Sequence, residues 1–215
     1  VPVARGLGSS AAAIVGGLVA ANALLGAPLG VERLLGLAVE LEGHPDNVTP
    51  ALVGGVTVSC GTAFVRFDPP PGLALAVIVP ERPLPTAEAR AALPRRIERA
   101  DAVFNLQRAC LLTAALREGR LDLLPAALDD RLHQPYRAAL LPGLAEALER
   151  ARGERALLGA CLSGSGSSVL AFLAPGREAE HAAAVERVAA AFRERGTACR
   201  TLFTTPSHVG AALES

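Results

Sequence analysis

The order of hydrophobic and polar residues divides the chain into three stretches. The first opens with a loop rich in glycine and serine, from Ala4 to Ser10, and continues with apolar positions at helical spacing. The run from Leu73 to Val79 is apolar, which is typical of a strand that is buried on both faces. For this stretch we predict a helix to Leu25, a helix at Val31–Leu41, and strands at Ala51–Ser59 and Leu73–Val79.

The middle stretch is predicted to be helical, and the last stretch to alternate between strands and a helix. Prolines separate the helical segments from one another. The ending is typical of half of a ferredoxin-like fold, so the predicted fold class is α+β. We predict helices at Thr86–Leu93, Arg96–Arg117, Leu121–Asp130 and Leu144–Arg152, then strands from Ala156, at Val169–Leu173 and at Cys199–Thr205, with a helix at Glu178–Arg195.

Composition excludes several classes of function. The 215 residues are 51% hydrophobic, which suffices for a core in one or two domains and excludes a disordered chain. The 21 basic residues are all arginines and are balanced by 21 acidic residues, which argues against a nucleic-acid partner. Because the chain has no lysine, it contains neither a Walker-type phosphate loop nor a Schiff-base lysine.

The apolar segments and the cysteines predict a soluble, cytoplasmic protein. The longest apolar stretch, from Ala11 to Leu25, is interrupted by Gly16, Gly17 and Asn22, so we expect no membrane-spanning helix. The 4 cysteines are far apart, in a spacing that suits neither a metal finger nor a disulfide framework. Because the sequence has no methionine and begins just before the glycine-rich loop, we expect it to be a piece of a longer protein that lacks its N-terminal part.

The first motif with chemical potential runs from Arg5 to Ala13, where the first helix begins. Its glycines let the backbone turn tightly and direct N–H groups into one concavity, and a helix N-terminus favours an anion such as phosphate. Ser9 and Ser10 can cap the helix or offer a hydroxyl to phosphate-bound Mg²⁺. From the spacing alone, the segment can also be a glycine-rich loop that caps a helix and binds no ligand. The segment matches the glycine motif of dinucleotide-binding folds only loosely, because no strand with an acidic residue at its end follows at the expected distance.

The second motif places Glu40, Glu42, His44, Asp46 and Asn47 in and before a turn of glycine and proline. A carboxylate there can hold Mg²⁺ through its oxygens. The side chains of His44, Asp46 and Asn47 can hydrogen-bond a small polar substrate. The alternative is an Asx-rich turn at a helix end, which is common in proteins and needs no ligand.

A third glycine-rich segment and two arginines complete the set of candidates. Gly159–Ser168 is either a second anion cradle or a turn between two strands, and the turn is the simpler interpretation. Arg90 and Arg137 can each form paired hydrogen bonds with a carboxylate. Among 21 arginines, either one can equally be a solvated surface residue.

Taken in this order, the motifs resemble those of the GHMP kinases. The segment from Val1 to Ala12 is similar to the ATP-binding motif of that superfamily, and Leu162–Ser168 is similar to its third, glycine-rich motif. The segment from Glu42 to Gly55 is similar to the branch that phosphorylates homoserine, as are the sequences around Arg90 and Arg137. The resemblance covers nearly the whole chain.

The resemblance implies a GHMP kinase fold with two domains. Residues 1–75 would form an incomplete N-terminal domain of the ribosomal-S5 type, and residues 76–215 a ferredoxin-like C-terminal domain. The implied reaction transfers a phosphoryl group from ATP to the side-chain hydroxyl of L-homoserine, a step of threonine biosynthesis, with ATP and Mg²⁺ as cofactors. The implied ATP-binding residues are Pro2, Val3, Ala4, Arg5, Gly6, Leu7, Gly8, Ser9, Ser10, Ala11 and Ala12.

The resemblance also implies the metal-binding, catalytic and substrate-binding residues. Ser10 and Glu42 would hold Mg²⁺, with Glu40 as the competing ligand. Relatives such as mevalonate kinase use an aspartate as base, and this sequence has Asn47 at the equivalent place, so we expect little formal base catalysis. The implied catalytic residues are Asn47, Asp46 and Arg137, and the implied substrate-binding residues are His44, Asp46, Asn47, Arg90 and Arg137.

Two other functions stay open at this point. Another small-molecule kinase of the superfamily would act on an alcohol without a carboxylate and leave Arg90 and Arg137 without a partner. A non-catalytic nucleotide sensor would have no need for Ser10, Glu42 and Asn47 together. The implied partners are L-homoserine and a second copy of the chain in a homodimer, with neither nucleic acid nor membrane. Because the strands that precede the phosphate loop in the family are absent, we expect weak ATP binding by these residues alone.

Overall fold

The structure is a computed structural model that describes residues 2–213. Val1, which opens the predicted ATP-binding motif, lies outside the described residues, as do Glu214 and Ser215. The described chain forms two compact units. Unit 1 consists of residues 2–3, Gly8–Pro69 and residues 206–213, and unit 2 consists of Ala4–Leu7 and Pro70–Thr205. The division into family domains at residues 1–75 and 76–215 stays a prediction.

Unit 1 contains three helices and a two-stranded hairpin. Its helices pack through apolar residues at helical spacing, as the periodicity of the second helix predicts. The hairpin is antiparallel, with Val58 opposite Val65. The elements are α1 (Ser9–Leu24), α2 (Val31–Glu42), α3 (Val48–Val53), β1 (Val56–Cys60) and β2 (Ala63–Phe67). The buried core residues are Ala11, Val15, Leu34, Leu35, Ala38, Val48 and Leu52.

A second segment, residues 206–213, completes unit 1. The amide of Gly55 donates a hydrogen bond of 2.9 Å to the carbonyl oxygen of Ser207, and the amide of Ala211 donates one of 2.8 Å to that of Ala51. The guanidinium of Arg66 on β2 donates another, of 2.7 Å, to the carbonyl oxygen of His208. These backbone contacts fix the segment to the end of α3 and to the hairpin.

Unit 2 is built on a four-stranded antiparallel sheet with the strand order β4-β5-β3-β6. The chain order of one strand, a set of helices, two strands, a helix and a strand is that of a split βαβ fold with extra helices after its first strand, so the predicted ferredoxin-like architecture is confirmed. The strands are β3 (Leu75–Pro80), β4 (Leu157–Leu162), β5 (Val169–Leu173) and β6 (Cys199–Thr204). The helices are α4 (Thr86–Ala91), α5 (Arg99–Glu118), α6 (Leu124–Ala127), α7 (Gln134–Ala138), α8 (Leu144–Gly153) and α9 (Glu178–Arg193), with a 3₁₀ helix at Leu121–Leu123.

Both faces of this sheet are covered. Along β5, Ala171 packs in the core formed with α8 and α9, whereas its neighbours Leu170 and Phe172 pack against α5 and α6 on the other face. Alternate side chains of a strand point to opposite faces, so a strand between two helical layers is apolar at every position. This arrangement explains the uninterrupted apolar run that predicts β3.

Several predicted boundaries are wrong. Ala51–Ser59 is not one strand, because Ala51–Val53 is helical and Gly54, at φ 68°, ends α3 before β1 begins. Leu121–Asp130 is shorter than predicted and is partly a 3₁₀ helix. The strand β2 and the short helix α7 are absent from the prediction, since α7 has only 5 residues and too little periodicity to detect.

Candidate active site

The start of α1 leaves backbone N–H groups available. Gly8 precedes the helix at φ 68°, in the left-handed region, and no side chain caps the first turn. The first turn of a helix carries unpaired N–H donors and a partial positive charge, which suit a phosphate group. A Cβ built on Gly8 would lie 3.5 Å from Oδ1 of Asn47, in ordinary van der Waals contact, so the loop and the Asn47 side chain are neighbours and the φ of Gly8 is what favours glycine there.

The first turn of α1 also meets the end of α2. The Ser10 hydroxyl donates a hydrogen bond of 2.6 Å to Oε1 of Glu42. Glu42 is the last residue of α2, which stops because Gly43 adopts φ 85°. Glu40, the competing residue, is exposed and makes no side-chain hydrogen bond to residues 2–213. Of the two carboxylates, Glu42 is therefore the one that the structure brings to the Ser10 hydroxyl.

The turn after α2 holds the other polar residues of the second motif. The Nδ1 atom of His44 is buried and makes no hydrogen bond to the described residues, since the nearest carboxylate oxygen, Oδ2 of Asp46, is 3.9 Å away. Asp46 is exposed, and Asn47 is half-buried at the start of α3. Within residues 2–213 the side chain of Asn47 neither caps α3 nor makes another hydrogen bond, so its amide can bind another group.

In unit 2, residues Ala4–Leu7 pack against the glycine-rich turn between β4 and β5. The Ser163 hydroxyl donates a hydrogen bond of 2.8 Å to the carbonyl oxygen of Gly6, and the amide of Ser168 donates one of 3.0 Å to that of Arg5. A Cβ on Gly6 would collide with the carbonyl oxygen of Ser163. The first and third motifs are therefore structurally joined, and the segment between β4 and β5 is a turn that supports the first loop. Anion binding by this turn stays a prediction.

Arg137 lies under the same turn. It is 8% exposed, and its Nη1 donates a hydrogen bond of 2.9 Å to the carbonyl oxygen of Gly164. Its Nε donates to the carbonyl oxygen of Ala89 at 3.4 Å, which places it beside Arg90 on α4. Burial and then the charge of Arg90 lower the pKa of Arg137, opposed by the charge of Asp130. Neither Arg137 nor Arg90 forms an ion pair with a carboxylate among residues 2–213. The two guanidinium groups therefore form a site suited to an anion.

Two polar residues at the start of α7, Asp130 and Gln134, are absent from the predicted site. Asp130, just before α7, accepts hydrogen bonds from Asn105 at 2.5 Å and from the amide of His133 at 2.8 Å. Gln134, the first residue of α7, accepts one of 2.7 Å from the amide of Leu162. The sequence does contain a pattern that indicates this helix start, because Asp130 shortly precedes the pair Gln134-Pro135.

The described residues contain no group of three or more His, Cys, Asp or Glu side chains that could hold a metal ion. An oxygen pair such as Ser10 and Glu42 nevertheless fits Mg²⁺ bound to a nucleotide, because this ion is commonly held by one or two carboxylates plus phosphate oxygens and water.

None of the described helices is long and apolar enough to cross a membrane.

Known proteins match both halves of this arrangement. Residues 1–55 match the family model of the GHMP kinase N-terminal domain, and residues 112–198 match that of the GHMP kinase C-terminal domain. The homoserine kinase of Moorella thermoacetica is 46% identical over 217 residues, which cover 99% of this chain and 72% of the relative. The homoserine kinase of Deinococcus radiodurans is 55% identical over 176 residues, or 80% of this chain and 57% of the relative.

A solved structure is similar over nearly the whole chain. The crystal structure of homoserine kinase from Cytophaga hutchinsonii superposes with a TM-score of 0.87 at 31% identity, covering 98% of this chain and 69% of that one. The chain thus spans about 57–72% of the length of these relatives. Similarity in both sequence and fold, over most of a relative, establishes that the chain belongs to the GHMP kinases, in the family of the homoserine kinases.

Proposed function

We propose that the protein transfers the terminal phosphoryl group of ATP to the side-chain hydroxyl of L-homoserine, giving O-phospho-L-homoserine for threonine biosynthesis. The observation that carries the proposal is the 2.6 Å contact of Ser10 with Glu42 at an uncapped helix start, in a chain 46% identical to a homoserine kinase. Phosphoryl transfer depends mainly on positioning and charge neutralisation, which backbone amides and oxygen ligands can supply without a lysine.

In this proposal the loop from Pro2 to Ala12 binds the phosphates of ATP. The free N–H groups at the start of α1 support this role, as does the left-handed conformation at Gly6 and Gly8, at φ 71° and 68°. Such a backbone exposes amide donors to a phosphate without side-chain obstruction.

Ser10 and Glu42 are the proposed ligands for Mg²⁺. The hydroxyl and the carboxylate are oxygen donors, the type that Mg²⁺ prefers, and they already lie within hydrogen-bond distance of each other. When bound, the ion neutralises charge on the phosphate oxygens during transfer. Glu42 stays the better candidate than Glu40, which has no such neighbour.

Asn47, Asp46 and His44 are the proposed partners of the substrate's polar groups in unit 1. The side-chain amide of Asn47, which makes no hydrogen bond within residues 2–213, can hydrogen-bond the attacking hydroxyl and orient it. An amide is not a base at neutral pH, so the hydroxyl proton is lost late, after the transition state is largely formed. The unsatisfied Nδ1 of His44 supports a further contact with a polar substrate.

Arg137 and Arg90 are the proposed ligands of the substrate carboxylate. Arg137 uses Nη1 and Nε for backbone carbonyl oxygens, whereas its Nη2 donates to no group within residues 2–213. A guanidinium held from one side in this way can offer its remaining N–H groups to a carboxylate.

Product formation from several alcohols tests the proposal directly. The full-length protein would be mixed with ATP and Mg²⁺, and ADP release followed with L-homoserine, mevalonate, galactose and shikimate. We expect turnover with L-homoserine alone, and loss of most of that turnover in Arg137→Ala. Turnover with a different alcohol would refute the proposed substrate, and ATP binding without turnover on any alcohol would refute the proposed reaction.

Two finer expectations belong to the same proposal. The homodimer is a prediction, which light scattering of the purified protein tests by its molar mass. The cytoplasmic location is also a prediction, which fractionation of the source cells tests.

A further inference from the structure

Asp130 has a part in the binding of the substrate carboxylate, if Arg137 is the ligand of that group as proposed above. Asp130 precedes the five-residue helix α7, which carries both Gln134 and Arg137. The side chain of Asp130 is 12% exposed. It is therefore a carboxylate held largely away from water, seven residues ahead of the arginine.

Asp130 binds the start of α7 through successive backbone amides. Its Oδ1 accepts a hydrogen bond of 3.0 Å from the amide of Leu132, and its Oδ2 accepts one of 2.8 Å from the amide of His133 and another from that of Gln134. These bonds satisfy N–H groups that have no partner inside the helix. Burial alone would raise the pKa of Asp130, but hydrogen bonds from His133, from the backbone and from Asn105 hold it well below its usual range.

Asn105 ties this carboxylate to the long helix α5. Its Nδ2 donates a hydrogen bond of 2.5 Å to Oδ1 of Asp130, and its Oδ1 accepts one of 2.9 Å from the amide of Arg131. The side-chain amide thus binds both the aspartate and the backbone that follows it. The position of α7 is set by α5 through Asn105 and Asp130.

The other end of the network reaches the glycine-rich turn. Gln134 and Arg137 are three residues apart, so they project from the same side of one helical turn. Gln134 accepts from the amide of Leu162 at 2.7 Å, and Arg137 donates to the carbonyl oxygen of Gly164 at 2.9 Å. A shift of α7 would therefore move the guanidinium and the turn together.

We propose that Asp130 is a positioning residue that holds Arg137 in the orientation required to bind the carboxylate of the amino-acid substrate. Asp130 does not contact the substrate itself. It acts through the start of α7, and Asn105 supports it. A small cavity of ≈ 200 Å³ is lined by Asn105, Asp130, Gln134 and Arg137, so the site has room for the guanidinium to move when the network is broken.

The test compares two substrates in the full-length protein. In Asp130→Asn we expect KM for L-homoserine to rise about tenfold and KM for ATP to stay unchanged. A tenfold rise is the effect expected when one hydrogen bond to a charged group is lost. With 2-amino-1,4-butanediol, which lacks the carboxylate, the variant and the wild type should have equal kcat/KM. Asp129→Asn is the matched control, because Asp129 pairs with Arg152 at 2.7 Å and does not bind α7.

A double variant separates positioning from general destabilisation. In an Arg137→Ala background, Asp130→Asn should cause no further increase in KM for L-homoserine, since the arginine that it positions is already absent. An additive effect, or equal losses with both substrates, would overturn the inference. If Asp130→Asn does not fold, Asn105→Ala is measured in the same way and is expected to show the same substrate dependence. A wild type inactive on L-homoserine would refute the proposed function, whereas an active wild type with an unaffected Asp130→Asn refutes this inference alone.

Discussion

The hydroxyl of Ser163 donates a 2.8 Å hydrogen bond to the carbonyl oxygen of Gly6, across 157 positions of the sequence. The loop that we propose to bind phosphate is therefore shaped by a turn far along the chain, as well as by its own glycines. A change in either segment should be transmitted to the other, and this makes the loop sensitive to added volume.

Gly6→Ala should destabilise the protein and weaken ATP binding. Gly6 adopts φ 71°, and a Cβ there would also lie 2.8 Å from the amide nitrogen of Gly166. We expect a loss of about 2 kcal/mol or more in the free energy of unfolding, from backbone strain and collision. Chemical denaturation and calorimetric ATP titration would measure both effects.

Gly17→Ala is the control for Gly6→Ala. Gly17 lies within α1, and a Cβ there would meet no atom within 4 Å. Because alanine favours a helix more than glycine does, this variant should gain about 0.5–1 kcal/mol of stability. Equal behaviour of the two variants would contradict the role of the contact between Gly6 and Ser163.

Glu42→Gln should raise the Mg²⁺ concentration that gives half-maximal velocity, and Glu40→Gln should not. Only Glu42 contacts the Ser10 hydroxyl among the described residues. Loss of a charged oxygen ligand should weaken apparent metal affinity about tenfold or more. Velocity measured against Mg²⁺ at saturating ATP and homoserine decides between the two carboxylates, and a larger effect in Glu40→Gln would reverse the assignment.

Asn47→Ala should lower kcat about a hundredfold while KM for ATP stays nearly constant, because misplacing an attacking group chiefly affects the transition state. Asn22→Ala is a matched control. The Asn22 side chain makes two 3.0 Å hydrogen bonds to the backbone of Leu29, away from the proposed substrate residues. The Asn22→Ala variant should have a lower melting temperature and an unchanged kcat. A normal kcat in Asn47→Ala would remove Asn47 from the mechanism.

The stabilising effect of Asp130 should depend on pH in a defined direction. Its pKa is lower in the folded protein than the ordinary value of 3.8, so the folded state favours the charged form. The advantage of wild type over Asp130→Asn should be present above about pH 5 and shrink as the pH falls below about 4, toward the folded pKa. Denaturant unfolding of both proteins at pH 7 and pH 3 measures this difference, and a constant difference would contradict it.

The four thiols should differ in reactivity toward iodoacetamide. Burial raises the pKa of Cys161 to about 12 and that of Cys199 to about 11, so both remain protonated at pH 8. Cys60 and Cys110 are exposed. Mass spectrometry after brief treatment should find Cys60 and Cys110 alkylated and the other two intact, and early alkylation of Cys161 would contradict its raised pKa.

Helical periodicity and the apolar run of β3 predict much of the fold, because long elements bury a regular face. The local pattern of residues does not reveal α7, because its five residues are held by the side chain of Asp130 just before it and, through Asp130, by the distant Asn105. The same limit applies to the site. The sequence favours Glu42 as the metal ligand but leaves Glu40 as a competitor, and the structure shows that Glu42, at the end of α2, is the carboxylate that meets Ser10. The roles assigned to these residues stay predictions.

The division of the chain between the units affects the order in which they can be completed during synthesis. Unit 1 begins near the start of the chain but needs residues 206–213, whose backbone pairs with Ala51 and Gly55. Because a ribosome releases the chain from its N-terminus, unit 2 has all its strands before residues 206–213 can join unit 1. Proteolysis between Pro69 and Pro70 would likewise yield no self-contained piece corresponding to unit 1.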